Sequence, residues 1–133
     1  MWSPFYWYYE IRHDAAYSGK LPTNVVLEIL ENIPVLQKKD NQVFCNQEGF
    51  PWVDIVAVNS DNGNYGRPEN FNSEWVNLIT VVGSKSAPEN EALYITLLTE
   101  IAEKINWEFI SEEGDDNNEY IVLRTIKPDN SQE

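Results

Sequence analysis

The sequence predicts an α+β fold, a two-layer sandwich in which two helices cover one face of a mainly antiparallel sheet. Six segments are rich in the aromatic and β-branched residues that strands favour, whereas two segments show the apolar spacing of amphipathic helices. Two of the links between successive strands have hairpin length, and hairpins join antiparallel strands. The predicted order is βαββ followed by βαββ, which matches a ferredoxin-like or related sandwich.

A chain of 133 residues has the length of one domain, since domains most often contain about 100–150 residues. We predict a single α+β domain over residues 1–126. A polar C-terminal tail follows over 127–133, and polar termini commonly fray. Cys45 is the only cysteine, so an internal disulfide is excluded.

The first half of the chain begins with a strand over residues 5–12, which is aromatic on both faces and therefore predicted to be central or covered. Helical apolar spacing over 22–32 predicts the first helix, with a proline in its first turn. Pro34 ends this helix because a proline has no backbone N–H to continue it. A strand or hairpin arm follows around residues 43–45.

Two similar strands are predicted over residues 51–58 and 74–82, each with a tryptophan near its start. The segment 59–73 between them is 15 residues long and rich in asparagine and glycine. Loops of that length are uncommon in small domains and are usually functional or mobile.

The second helix is predicted from a capping box, with Ser86 at the N-cap and Glu89 reaching back to it. An apolar stripe follows at helical spacing, and the helix precedes a hairpin formed by residues 107–110 and 120–124. The turn residues 114–118 contain glycine, aspartate and asparagine, which favour turns. The stripe consists of Leu93, Leu97, Leu98, Ile101, Ala102 and Ile105.

The net charge of −13 is unevenly distributed. Residues 1–39 carry four acids and four bases, whereas 40–133 carry 18 acids and five bases, and 108–119 alone contains six acids and no base. Such a cluster either steers a basic partner or forms a solvated hairpin turn.

The shortage of lysine and arginine argues against direct binding of nucleic acid, and no apolar run reaches the roughly 20 residues of a membrane span. The N-terminus lacks the pattern of a signal peptide, so we expect a cytoplasmic protein.

No motif for catalysis, cofactor binding or metal binding is present, and we predict no residue for any of these roles. Cys45 and His13 are the only candidates for a nucleophile and base, and both also fit ordinary structural positions. Asp54 lies on a strand among apolar residues. If its face is buried it needs a cationic partner, for which the candidates are Arg12, Arg67 and Arg124; if its face is exposed it is a contact point beside Trp52.

Recognition of another protein is the function that the sequence favours. Tryptophan and tyrosine provide large contact areas, and acidic neighbours steer a basic partner toward them. We expect a small acidic protein that binds and occludes a basic protein, of the type that bacteria use as immunity proteins against their own secreted toxins. The predicted partner-binding residues are Trp52, Asp54, Asp61, Tyr65, Glu69, Phe71, Glu74, Trp75, Glu112, Glu113, Asp115, Asp116 and Glu119.

Three alternatives stay open at this point. The chain fits a nucleic-acid mimic that acts against a defence protein, although its acids cluster rather than form rows. It also fits a small-ligand-binding domain or enzyme that uses an exposed sheet face. Finally, it fits an assembly or accessory subunit, including a homodimer formed through that face.

Overall fold

The computed structural model describes residues 5–14, 16–61, 65–71, 73–112 and 120–124, with the backbone alone for 112 and 120–124. These residues form an α+β structure with two helices and a short 3₁₀-helix, Pro68–Phe71. In chain order the elements are β1 (Tyr6–Arg12), β2 (Leu21–Pro22), α1 (Thr23–Glu31), β3 (Leu36–Asp40), β4 (Val43–Asn46), β5 (Val53–Val58), β6 (Trp75–Val76), β7 (Leu78–Ser84), α2 (Asn90–Ile105), β8 (Glu108–Glu112) and β9 (Tyr120–Arg124).

The main sheet contains seven of the described strands in the order β3-β4-β5-β7-β1-β8-β9, and every neighbouring pair is antiparallel. The two-residue strands β2 and β6 pair with each other outside this sheet. The predicted antiparallel sheet is therefore confirmed. The observed order does not confirm a ferredoxin-like arrangement.

Strand β1 lies between β7 and β8, as its aromatic content on both faces predicts. Tyr9 is opposite Val81 of β7 on one side and Ser111 of β8 on the other. Buried side chains from both helices share one core with Tyr9, so α1 and α2 cover the same face of the sheet. This core includes Val26, Leu30, Leu98 and Ile101 from the helices and Tyr9, Ile11, Ile55 and Val81 from the sheet.

The predicted order of six strands and two helices is incomplete, because the chain also forms β3 before β4 and the short strand β2, which pairs with β6 at the start of the predicted strand 74–82. Leu36 is the only buried residue of β3, and the four residues after it are exposed. An edge strand of this kind lacks the apolar alternation by which a strand is detected. Lysines at an edge also discourage pairing with another sheet, and Lys38 and Lys39 lie at this one.

The predicted capping box at the start of α2 is also wrong. The helix begins at Asn90, its N-cap residue is Glu89, and no side chain caps it. Asn90 is buried and its side-chain amide donates to the carbonyl of Ser84 (3.2 Å) and the hydroxyl of Ser86 (3.5 Å). Ser86 therefore contacts a side chain of the helix instead of its free backbone N–H groups.

Among the described residues, neither helix is long and apolar enough to cross a membrane. The predicted domain boundary at residue 126 and the tail 127–133 lie outside the described residues and stay predictions.

Candidate functional site

The candidate site lies on the sheet face opposite the two helices. Along β1, Tyr9 points into the helix-covered core, and Tyr8 therefore points to the other face. Tyr8 is opposite Val82 of β7, which is opposite Asp54 of β5. These three residues form one row across the middle of the sheet, and each is partly exposed.

An exposed aromatic pair lies beside this row. The ring centroids of Tyr6 and Trp52 are 5.8 Å apart and the rings are tilted by 53°. Tyr6 is 39% exposed and Trp52 is 48% exposed, which is unusual for residues of this size. We refer to Tyr6, Tyr8, Trp52, Asp54 and Val82 together as the open-face patch.

The backbone of Trp52 is held from the opposite side of the sheet. The hydroxyl of Tyr94, a buried residue of α2, donates a hydrogen bond to the Trp52 carbonyl and accepts one from the backbone N–H of Ser84 (2.9 Å). The ring of Tyr94 lies directly over Gly83, where an added Cβ would be 2.5 Å from a ring carbon. The exposed tryptophan therefore projects from a rigid point of the core.

Asp54 has a different partner from those that the sequence suggested. Its carboxylate oxygen is 3.9 Å from the Nζ of Lys39, and the side chains are 31% and 62% exposed, respectively. Lys39 belongs to β3, the strand that the sequence analysis missed. Arg12 and Arg67 pair with other carboxylates, and the side chain of Arg124 lies outside the description. The side chain of Asp54 is partly exposed, which meets the condition of the second alternative, and its role as a contact point stays a prediction.

Those predicted partner-binding residues that the structure describes do not form one surface. Trp52 precedes β5, whereas the segment 59–73 follows it, and the strand between them spans roughly 16 Å. We refer to the end of the sheet where β5 stops, away from Trp52, as the far end. The predicted residues there are Asp61, Tyr65, Glu69, Phe71, Glu74 and Trp75.

Basic side chains partly neutralise the negative charge at the far end. Arg67 forms ion pairs with Asp61 and with Glu69, the latter at 3.6 Å. The Nζ of Lys20 lies 4.9 Å from the ring centroid of Trp75. Asp61 and Glu69 are therefore less available to a basic partner than the sequence indicates.

Asparagine side chains organise the described part of 59–73. Asn59 donates from its backbone N–H to the carbonyl of Asn70 (3.0 Å), and the Asn70 amide donates back to the carbonyl of Asn59 (2.8 Å). The buried Asn77 accepts from the backbone N–H of Ser60 (2.7 Å) and donates to its carbonyl (3.1 Å). The side chains of Asn70 and Asn77 thus satisfy the backbone of Asn59 and Ser60, which argues for a structural role of these two residues.

Only part of the acidic stretch 108–119 is described. Glu108 accepts a hydrogen bond from the Nε of Arg12 (2.8 Å), so its charge is internally paired. Glu112 is the last residue of β8 and follows Ser111, which is paired with Tyr9 of β1. Glu112 therefore lies at the same end of the sheet as Tyr6. Four predicted partner-binding residues lie outside the described residues: Glu113, Asp115, Asp116 and Glu119.

A buried ionic network occupies the other end of β1. Arg12 donates to the hydroxyl of Tyr17 (3.0 Å), which in turn donates to Glu10 (3.0 Å), and the guanidinium carbon lies 5.3 Å from the Tyr17 ring centroid. Burial and the nearby charge of Glu10 raise the pKa of Tyr17 to about 12. The network ties the segment after β1 to the sheet, and sequence reasoning missed it because Glu10 and Tyr17 lie on different elements.

Cys45 and His13, the candidates for a nucleophile and base, do not come together. Cys45 belongs to β4 and His13 follows β1, and three strand spacings, about 14 Å, separate these strands in the sheet. His13 pairs with Asp14 at 3.2 Å instead. Within the described parts of the chain, no three His, Cys, Asp or Glu side chains come together as a metal site would require.

The search for similar proteins gives no functional lead. No protein-family model matches the chain, and neither a curated protein nor a solved structure matches it.

Proposed function

We propose that this chain is an acidic cytoplasmic protein that binds and occludes a basic protein, in the manner of immunity proteins that inhibit bacterial toxins. The observation that carries the proposal is the exposed Tyr6–Trp52 pair on the sheet face away from the helices. Tryptophan and tyrosine are the residues that most often dominate the binding energy of protein interfaces. Their position on a sheet anchored by Tyr94 supplies the rigidity that such an anchor needs.

The charge around the patch favours a basic partner. Exposed Glu48 and Glu89 lie in the segments that follow β4 and β7, at the end of the sheet where Trp52 is located. Lys85 is the described base in these segments, and its Nζ lies 4.4 Å from the ring centroid of Trp7. Together with the net charge of −13, these acids would accelerate encounter with a positively charged surface.

The proposed mechanism is occlusion without chemistry on the partner. Long-range attraction brings the basic surface to the acidic end of the sheet, and contact with the aromatic pair then excludes water and slows dissociation. Because charge attraction is screened by salt while packed apolar contacts are not, the complex should survive ionic strengths that abolish non-specific attraction.

The described acids support this function better than nucleic-acid mimicry. A mimic needs rows of free negative charge that imitate phosphates. Here Glu108 pairs with Arg12, Asp61 pairs with Arg67, and Glu31 lies 3.6 Å from the Nζ of Lys38.

A homodimer through the open face is opposed by the repulsion between two chains of charge −13, and self-association is therefore an outcome for the experiment to detect.

The experiment that tests the proposal is capture of partners from the native host's lysate by the tagged chain, at low salt and at about 0.5 M salt. The bait proteins are the wild type, the patch variant Tyr6→Ala/Trp52→Ala, and the control variant Trp75→Ala, which removes an exposed tryptophan at the far end of the sheet. We expect one basic protein to be retained at both salt concentrations by the wild type and the control, and to be lost with the patch variant.

Two results would contradict the proposal. Equal retention by the patch variant would exclude the open-face patch as the docking surface. Failure of the wild type to retain any basic protein at either salt concentration would overturn the inhibitor function itself, and sedimentation of the wild type would then show whether the exposed face forms a homodimer.

A further inference from the structure

We infer that the open-face patch receives an arginine side chain of the partner, with its guanidinium stacked on the aromatic pair and paired with Asp54. The inference rests on the proposed function, because it specifies what the basic partner places on this surface. It is carried by three features at the patch: exposed aromatic rings, a nearby carboxylate to which no described residue donates a hydrogen bond, and a weakly held lysine beside that carboxylate.

The aromatic rings provide the stacking surface. Trp52 is 48% exposed and Tyr6 is 39% exposed, so a large part of each ring is accessible to solvent. A cation within about 6 Å of a tryptophan or tyrosine ring centroid is attracted to the ring face, and the planar guanidinium of arginine also stacks on it.

The carboxylate of Asp54 lies within reach of the same cation. Asp54 is two residues beyond Trp52, which corresponds to roughly 7 Å along an extended chain and to the same face of the sheet. Its ion pair with Lys39, at 3.9 Å, is longer than a hydrogen bond of about 2.7–3.2 Å. Within the described residues, Asp54 therefore offers both oxygens to a bidentate guanidinium.

Lys39 is a weak competitor for this position. Its side chain is 62% exposed, and exposed ion pairs contribute little to stability. An incoming arginine replaces the single charge of the lysine with two parallel hydrogen bonds and a ring contact, so displacement of Lys39 is favourable.

The same chain contains an internal example of this arrangement. Arg12 lies over the Tyr17 ring and donates to the carboxylate of Glu108. There one guanidinium contacts an aromatic ring and also donates a hydrogen bond to a carboxylate, as proposed for the open-face patch. The difference is that Arg12 is buried within the fold, whereas Trp52 and Asp54 are open to a partner.

The test is a titration of the full-length protein with N-acetyl-arginine amide, monitored by the indole N–H resonance of Trp52 in ¹⁵N-resolved NMR spectra. Trp52→Phe identifies the resonance. N-acetyl-norleucine amide, which lacks the cation, and N-acetyl-lysine amide are the comparison ligands. The variant Asp54→Asn tests the carboxylate, and Glu69→Gln is the control because Glu69 is an exposed acid at the far end of the sheet.

We expect a saturable shift of the Trp52 resonance with the arginine ligand, weaker binding of the lysine ligand, and no saturable shift with norleucine. Asp54→Asn should weaken arginine binding about fivefold, as the loss of roughly 1 kcal/mol in an exposed ion pair predicts, and Glu69→Gln should leave it unchanged. Absence of a saturable shift, or equal affinity in Asp54→Asn, would overturn the inference.

This outcome is separable from that of the proposed function. If a basic protein is captured in a Trp52-dependent manner but the arginine ligand does not bind, the arginine site is wrong and the docking surface stands. If the arginine ligand binds as expected but no protein is captured, the site is correct and the inhibitor function is wrong.

Discussion

The hydroxyl of Tyr94 is hydrogen-bonded to the backbone carbonyl of Trp52, so a buried side chain of α2 fixes the most exposed tryptophan among the described residues. The same hydroxyl accepts the backbone N–H of Ser84, and it thereby bridges the ends of two neighbouring strands. Rigidity at this point means that Trp52 loses little conformational freedom when it contacts a partner, which favours tight association.

Removal of the Tyr94 hydroxyl should weaken both the fold and the site. In Tyr94→Phe, the N–H of Ser84 and the carbonyl of Trp52 lose their shared partner, and we expect the free energy of unfolding to fall by about 1–2 kcal/mol. Urea denaturation measures this loss. Tyr6→Phe is the matched control, since no hydrogen bond of the Tyr6 hydroxyl is present in the described structure. Equal stability of the two variants would contradict the bridging role.

The contact between Gly83 and Tyr94 predicts that an added methyl group is not tolerated. In Gly83→Ala the new Cβ would be 2.5 Å from a carbon of the buried ring, so the strand or the ring must shift. Overpacking of this kind destabilises by about 1–3 kcal/mol. Gly66→Ala is the control because a Cβ there meets no atom within 4 Å. In thermal unfolding, Gly83→Ala should have a clearly lower melting temperature than Gly66→Ala. Similar melting temperatures would show that the Tyr94 ring moves aside at little energetic cost.

The buried network around Arg12 should be costly to break. Arg12→Met leaves the carboxylates of Glu10 and Glu108 without their cation, and loss of one partner of a buried ion pair typically costs about 3–5 kcal/mol. Arg67→Met removes an exposed arginine that also contacts two carboxylates, and it should leave stability nearly unchanged. Chemical denaturation of both variants checks this, and equal effects would show that the burial of Arg12 has no energetic consequence.

The raised pKa of Tyr17 predicts a loss of stability at high pH. The folded state holds the Tyr17 proton to a pKa of about 12, whereas an unfolded tyrosine loses it near pH 10. The contribution of this proton is therefore fully present below about pH 10 and is lost as the pH rises to about 12. Unfolding free energies measured from pH 8 to 12 should fall less steeply in Tyr17→Phe than in the wild type. Identical slopes would contradict the burial of this hydroxyl.

The elements that the sequence predicts well are those with a strong local pattern. The alternation in residues 5–12 gives β1, and the apolar spacing in α1 and α2 gives both helices to within a few residues. The strand order depends on pairing between distant segments, which no local pattern encodes. For the same reason the sequence does not reveal that β1 and β7 are neighbours at the centre of the sheet.

The sequence predicts only some of the residues of the candidate site. Trp52 and Asp54 are identifiable from the sequence because Asp54 lies among apolar residues on one face of a predicted strand, and Trp52 is on that face. Tyr6 is not, because either face of β1 is aromatic and only the packing of the helices decides which face is exposed. The strand β3, which brings Lys39 to Asp54, lacks apolar alternation because Leu36 is its only buried residue.

We propose that the open-face patch, and not the far end of the sheet, binds a basic partner. The most direct measurement is the affinity of the captured partner for the wild type, Trp52→Ala and Trp75→Ala, by calorimetry at one salt concentration. We expect a loss of at least about 30-fold for Trp52→Ala, as for a hot-spot residue, and a change within about threefold for Trp75→Ala. The reverse pattern, with Trp75 dominant and Trp52 neutral, would contradict it.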